Sequence, residues 1–361
     1  MKHGFVWMLS LVSVAGAMAG QPGPAMRGDG PPPAASSFRL ERLDPGFDAV
    51  IAPGTKAVSL ARGFGLNEGP LWVPEGRSGF LIVGGLLDNV LYRVDPNGRV
   101  STYLEQAGYS GSDVDNVGAQ TRSGRSHVLL IGPSCAGLDS KRRLVWCADN
   151  DRTVMRLETD GTRTVLARGA EGKRFSGPND IAIARDDSIY LTDNDFGLRG
   201  AGRSPDKQME NAVWRLQEGQ EPVRLITREA LGGIPNGVAL SPDERKIYLT
   251  AGSRLMRYAL ASDGSLSEAE LFAEGAGIGD GMKVDAAGNV FSTSGGGPGV
   301  VRITSAAGRL LGFIHLPIVA DEPKRQICAT NLTFGGADGR DLFITACDEV
   351  YRLRLRVAQR M

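Results

Sequence analysis

From about Val58 to Leu355, apolar residues alternate with polar ones at a period of two, in short runs broken by turns rich in Asp, Gly and Pro. That alternation is the signature of β-strands joined by hairpins. One phrase recurs six times. Its copies open at Glu68-Gly69-Pro70-Leu71-Trp72, Ala136-Gly137-Leu138-Asp139, Asn179-Asp180-Ile181-Ala182-Ile183, Asn236-Gly237-Val238-Ala239-Leu240, Asp280-Gly281-Met282-Lys283-Val284 and Asn331-Leu332-Thr333-Phe334. In most copies a polar opener precedes an apolar strand and a turn such as Ser241-Pro242-Asp243-Glu244. A second strand such as Ile247-Tyr248-Leu249-Thr250 follows, then a third such as Leu255-Met256-Arg257-Tyr258. The openers lie 43 to 68 residues apart, and a repeat of about 50 residues is one propeller blade. The expected fold is all-β, a six-bladed β-propeller. The strand Lys56–Ala61 precedes the first opener and is expected to join the last blade and close the ring.

Composition narrows the function classes. The 361 residues carry 41 Lys plus Arg against 41 Asp plus Glu, so the chain lacks the basic excess expected of a nucleic-acid or anionic-membrane binder. Three histidines, of which His3 lies in the N-terminal segment, disfavour a histidine-rich zinc centre. Neither His127 nor His315 accompanies a Gly-x-Ser-x-Gly nucleophile motif, which argues against a Ser-His-Asp triad. His315, on an outer strand, reads as a surface or packing residue.

The N-terminus reads as an export signal. Lys2 and His3 precede an apolar run from Phe5 to Ala15 and the small-x-small sequence Ala17-Met18-Ala19. The run is too short to span a bilayer, which takes about 20 residues. The expected organisation is a signal peptide over 1–19, a Pro/Gly-rich flexible tether over 20–37 and a propeller domain over 38–361. After signal cleavage the domain is expected in the periplasm or outside the cell, without a membrane partner.

Five phrases in order carry a family resemblance: Glu68-Gly69-Pro70-Leu71-Trp72, Glu171-Gly172-Lys173 with Pro178-Asn179-Asp180, Pro235-Asn236-Gly237 with Ser241-Pro242-Asp243-Glu244, Asp280-Gly281, and Phe334-Gly335-Gly336 with Leu342-Phe343-Ile344-Thr345. Together they resemble the senescence marker protein/gluconolactonase (regucalcin-like) family over some 300 residues. The resemblance implies a six-bladed propeller whose central tunnel holds one divalent ion, and a metal-dependent hydrolase acting mostly on sugar lactones. It makes Glu68, Asn179, Asn236 and Asp280 the metal ligands, with Asp280 also activating water.

The residue types support the same reading. The first strand of each propeller blade lines the central axis, so openers of successive blades converge there. Glu68, Asn179, Asn236 and Asp280 supply two carboxylates and two amide oxygens. Such hard donors suit Ca2+ first, with Mg2+, Mn2+ or Zn2+ as alternatives. Asp280 is the candidate general base, since a monodentate ligand keeps a free oxygen. Capping of turns is the ordinary alternative for such Asn and Asp residues.

Blade two departs from the family. Relatives commonly carry Asn-Gly at its opener, where this chain reads Cys135-Ala136-Gly137, and a His-Gly-Asp-Arg phrase where it reads Asp149-Asn150-Asp151-Arg152. Blade one has Val83-Gly84-Gly85 where Ser-Asp is common. The expected partner is a small molecule: a lactone, another ester or an organophosphorus compound, or a ligand merely bound by a non-catalytic propeller. Two long loops, Tyr109–His127 and Gly200–Asn211, are expected at the tunnel mouth, where Arg199, Arg203 and Lys207 are candidate anion contacts. The four cysteines are expected to pair across hairpins as Cys135 with Cys147 and Cys328 with Cys347.

Overall fold

The computed structural model describes residues 36–113, 117–123, 126–198, 204–295, 299–318 and 328–359, without side-chain detail over 119–128. Six antiparallel sheets follow one another along the chain, each built around a four-stranded meander. The innermost strands are Asn67–Val73, Ala136–Leu138, Pro178–Ile183, Pro235–Leu240, Met282–Val284 and Asn331–Gly335. Each packs against the innermost strand of the next blade, and the sixth against the first, so the six enclose one axis. The expected six-bladed propeller is the observed fold.

Burial explains the closed ring. The second strand of a blade, such as Ile189–Asp193 or Val290–Thr293, is buried along its whole length. Both of its faces are covered because blades stack sheet on sheet. The core therefore divides into seams. Trp146 and Ile82 lie between blades one and two, Trp214 and Val145 between two and three, and Tyr190 and Leu249 between three and four. Tyr248 and Met282 fill the seam of four and five, Phe291 and Phe334 that of five and six. The last seam, of six and one, holds Trp72 stacked on Phe343 with ring centroids 5.1 Å apart.

Ring closure follows the expected route: Ala57–Arg62 pairs antiparallel with Glu349–Arg354 as the outer strand of blade six. One addition was not expected. Arg39–Arg42 pairs with Leu310–His315 and gives blade five a fifth strand. His315 there meets Glu41 at 2.7 Å, a surface pairing in keeping with its expected role. The signal segment and most of the tether fall on residues 1–35, outside the described residues, although Ser36 already bridges Ile318. No helix among the described residues is long and apolar enough to cross a membrane.

Both expected disulfides are present. Cys135 and Cys147 stand opposite each other, with Cα atoms 5.1 Å apart. The second pair is offset. The ladder sets Asn331 against Thr345, which would place Cys328 one residue out of line with Cys347. The left-handed backbone of Cys347, φ 55°, absorbs the slip, and the Cα atoms come within 5.5 Å. Digestion without reductant should therefore return two linked peptide pairs, 135 with 147 and 328 with 347. Replacing Cys135 and Cys147 together by Ser should lower unfolding stability by about 3 kcal/mol, measured by denaturant titration, as expected for loops of 12 residues. Free thiols, or cross-linked pairs such as 135 with 328, would contradict the pairing.

Candidate functional site

Hydrogen-bond register identifies which residue of each blade reaches the axis. In blade five the Asp280 N–H donates to the Thr293 carbonyl and the Thr293 N–H returns a bond to Gly281. In blade six the matching donation runs from Thr330 to Thr345, and in blade two the matching return runs from Cys147 to Cys135. Thr330 and Ser134 thus hold the places that Asp280 holds in blade five. This corrects the sequence alignment, which set Asn331 and Ala136 there. The opener of blade two is not apolar: it is a serine, two residues before Ala136.

A belt of hydroxyls fixes these openers. Thr192, Thr250 and Thr293 sit at one equivalent place on their second strands, each facing the residue after its blade's opener. Each hydroxyl donates to the opener carbonyl of the next blade: Thr192 to Asn236 at 2.5 Å, Thr250 to Asp280 at 3.2 Å and Thr293 to Thr330 at 2.6 Å. Thr330 in turn donates to the Asn67 carbonyl, beside Glu68, at 2.9 Å. In blade two Cys147 occupies the threonine's place, and Ser134 itself meets the Asn179 carbonyl at 2.7 Å. Side chains at the axis are therefore carried on backbone that is tied from blade to blade.

Of the four candidate residues, Glu68 and Asp280 come close enough for their charges to act on each other. Both are buried. Burial, and after it the Asp280 charge, hold the Glu68 carboxyl well above the usual carboxylate range. A 2.6 Å bond from the Gly69 N–H and the Asn331 amide favour its ionised form but do not reverse the shift. Gly295 is required beside this pair: a Cβ there would lie 2.1 Å from the Asp280 Oδ2. Asn179 and Asn236 open adjacent blades and are half-buried, and among the described residues their side chains form no hydrogen bond.

The sequence reading missed two further residues. Asp180, buried, accepts from Ile181 N–H at 2.9 Å and from Val238 N–H of blade four at 3.2 Å, and its charge also reaches Glu68. Burial raises its carboxyl while half-buried Lys283 lowers it. Asn331 hydrogen-bonds both Glu68 and Asp180 and sits where Gly281 has no side chain, since a Cβ there would meet its amide at 2.0 Å. The signal was available for Asp180, which stands where the neighbouring repeats have Gly237 and Gly281.

Among the described residues no three His, Cys, Asp or Glu side chains form a ready metal cluster. The donor set nevertheless fits a cation: two buried carboxylates repel each other on an axis that also offers two amide side chains with unspent oxygens. Of the expected anion contacts, Lys207 is already paired with Asp195 at 3.0 Å, whereas Arg199 and Arg203 lie outside the described residues.

The family model for the SMP-30/Gluconolactonase/LRE-like region matches residues 66–348. A gluconolactonase of Zymomonas mobilis is 31% identical over 335 residues, covering 88% of this chain and 86% of its own length. A pentonolactonase of Haloferax volcanii is 27% identical over 288 residues, 78% of this chain and 81% of its own. The solved gluconolactonase of Xanthomonas campestris superposes with a TM-score of 0.69 at 27% identity, covering 92% of this chain and 98% of that one. With its propeller, its axial carboxylate pair and a family match over most of its length, the chain belongs to the SMP-30/gluconolactonase family.

Proposed function

We propose that this protein is a divalent-metal-dependent lactonase that opens sugar lactones, with Glu68, Asn179, Asn236 and Asp280 as the ion's ligands. The observation that carries the reading is the buried Glu68 and Asp280 pair, with Asn179 and Asn236 at the openers of blades three and four, in a chain whose relatives are named for gluconolactone and pentonolactone hydrolysis. An all-oxygen set with two carboxylates favours Ca2+. When bound, such an ion would polarise the lactone carbonyl and acidify water.

The chain's own residues divide the rest of the work. Asp280 accepts the proton of the water whose oxygen adds to the lactone carbonyl carbon. As the ring C–O bond breaks, that proton passes to the departing ring oxygen, leaving a hydroxy acid. Glu68, bonded to Gly69 N–H and Asn331, stays in place as a ligand. Asp180 stiffens the wall behind it, since its carboxylate accepts from Val238 N–H and so joins blade three to blade four. Export is part of the proposal. The N-terminal signal pattern and two disulfides suit an oxidising compartment such as the periplasm.

Proton release in a pH-stat tests the activity with aldonolactones, aryl esters and phosphotriesters side by side. Aldonolactones should react, the reaction should stop with chelator and return with Ca2+, and Asp280→Asn should lose at least about 100-fold in kcat at saturating Ca2+. Full turnover in that variant would remove Asp280 from the role of base. Ester or phosphotriester hydrolysis alone would reassign the substrate, and no turnover at all would leave a binding protein.

The carboxylate pair also makes a stability prediction. Because the folded state holds Glu68 above its usual 4.5, the chelated protein should lose stability as pH rises through and beyond that value. Glu68→Gln removes the charge and keeps an acceptor for Gly69 N–H. Without metal it should melt several degrees above the wild type at neutral pH, with the gap closing toward acid. A lower melting temperature in the variant would show that the ionised pair is not strained.

A further inference from the structure

The blade-two opener poses a problem of protons. In blades three and four the belt threonine takes a bond from an N–H, of Asp180 to Thr192 at 3.0 Å and of Gly237 to Thr250 at 2.7 Å. Its single proton is then free for the next blade's carbonyl. Ser134 has no such arrangement. Its hydroxyl oxygen lies 2.7 Å from the Asn179 carbonyl, 3.3 Å from the Pro178 carbonyl and 2.7 Å from the Asp149 Oδ1. All three are acceptors if Asp149 is ionised, and one hydroxyl proton cannot serve two short contacts. Two unprotonated oxygens at 2.7 Å repel. The Ser134 N–H, 3.3 Å from the same Oδ1, does not relieve this.

We propose that Asp149 and Ser134 form a positioning pair for Asn179, in which the carboxyl, in its acid form, donates to the serine hydroxyl and the hydroxyl donates to the Asn179 carbonyl. Both short contacts are then hydrogen bonds, and an acid oxygen that donates one proton still accepts from the Ser134 N–H. The surroundings agree. Asp149 is buried, which pushes its carboxyl well up; the contacts from the Ser134 hydroxyl and N–H act the other way without reversing the shift, and the charge of Asp193 from blade three adds to it. The pair does for Asn179 what Thr192 does for Asn236 and Thr250 for Asp280. It is needed because Cys147, tied to Cys135, fills the threonine's place in blade two.

This inference concerns how Asn179 is held, and its metal arm rests on the proposed ion site. The decisive variant is Asp149→Asn, whose amide N–H2 donates to the Ser134 hydroxyl as the acid would. Calorimetry with Ca2+ alone should find Asp149→Asn within about twofold of the wild type, while Ser134→Ala weakens binding about tenfold, the cost of leaving the Asn179 carbonyl unpaired. Infrared difference spectra of the metal-free protein at neutral pH should show a protonated-carboxyl C=O band in the wild type that Asp149→Asn lacks. An Asp149→Asn variant as damaged as Ser134→Ala, or no such band, would overturn the acid form. Wild-type affinity in Ser134→Ala would overturn the positioning role. If the wild type binds no Ca2+, the ion site itself fails, and the infrared arm still decides the protonation.

Discussion

Sheet-to-sheet packing around a closed ring is the constraint on which the rest of this structure depends. Each blade presents two apolar faces, so a blade without a neighbour on either side would leave one of them in water. Closure is therefore obligatory, and it is made by the N-terminal strand Ala57–Arg62 on the C-terminal blade. At that last seam Trp72 lies flat on Phe343, and the fit is tight enough that Gly335 has no room for a side chain: a Cβ there would approach the indole to 2.4 Å. The same packing drives the six innermost strands together at the axis. The site is thus a consequence of the ring: no single blade holds more than a fragment of it.

Packing alone leaves backbone polar groups exposed at the axis, and the hydroxyl belt resolves this. A threonine placed after the apolar stretch of the second strand reaches across the seam to the next opener carbonyl. Buried carbonyls find partners and neighbouring blades are locked in register by the same bonds. The belt also gives a rigid frame on which the carboxylates Glu68 and Asp280 can be held close despite their repulsion. Strain of this kind survives only where the surrounding structure over-determines the geometry.

The fold was legible because it is written six times. Repeat spacing exposed the propeller, the unmatched strand before the first opener exposed the closure, and cysteine positions about two hairpin turns exposed the disulfides. Glu68, Asn179, Asn236 and Asp280 were legible as polar openers. Blades two and six were misaligned because phrase similarity follows the apolar strand, whereas the axis position is set by hydrogen-bond register, which places Ser134 and Thr330 there. Asp180 was passed over because it stands one residue beyond its blade's opener, at the place where Gly237 and Gly281 show no side chain; Asn331, read as the opener of blade six, was given no part in the site because the four ligands were drawn from the other blades. The fifth strand of blade five was hidden for another reason: Arg39–Arg42 finds its partner at Leu310–His315, far along the chain, and no local pattern marks such a pairing.

Blade two concentrates these departures, and they have a common cause. Its innermost strand spans only Ala136–Leu138, against Pro178–Ile183 and Pro235–Leu240 in the next two blades, so its ladder supplies fewer hydrogen bonds to the second strand. Blade five has an equally short inner strand, Met282–Val284, but is backed by the added strand Arg39–Arg42. Among the described residues blade two has no added strand, and it is clamped covalently, by the Cys135–Cys147 bridge at the open end of its first hairpin. A half-cystine at the belt position cannot donate a hydrogen bond. The hydroxyl therefore has to come from the opener itself, and an opener that turns its hydroxyl toward the next blade no longer offers it to the axis. The serine of blade two, the buried acid beside it and the disulfide behind it are on this reasoning one linked substitution. It leaves the other five blades to furnish the charged and amide groups at the centre, blade six through Asn331.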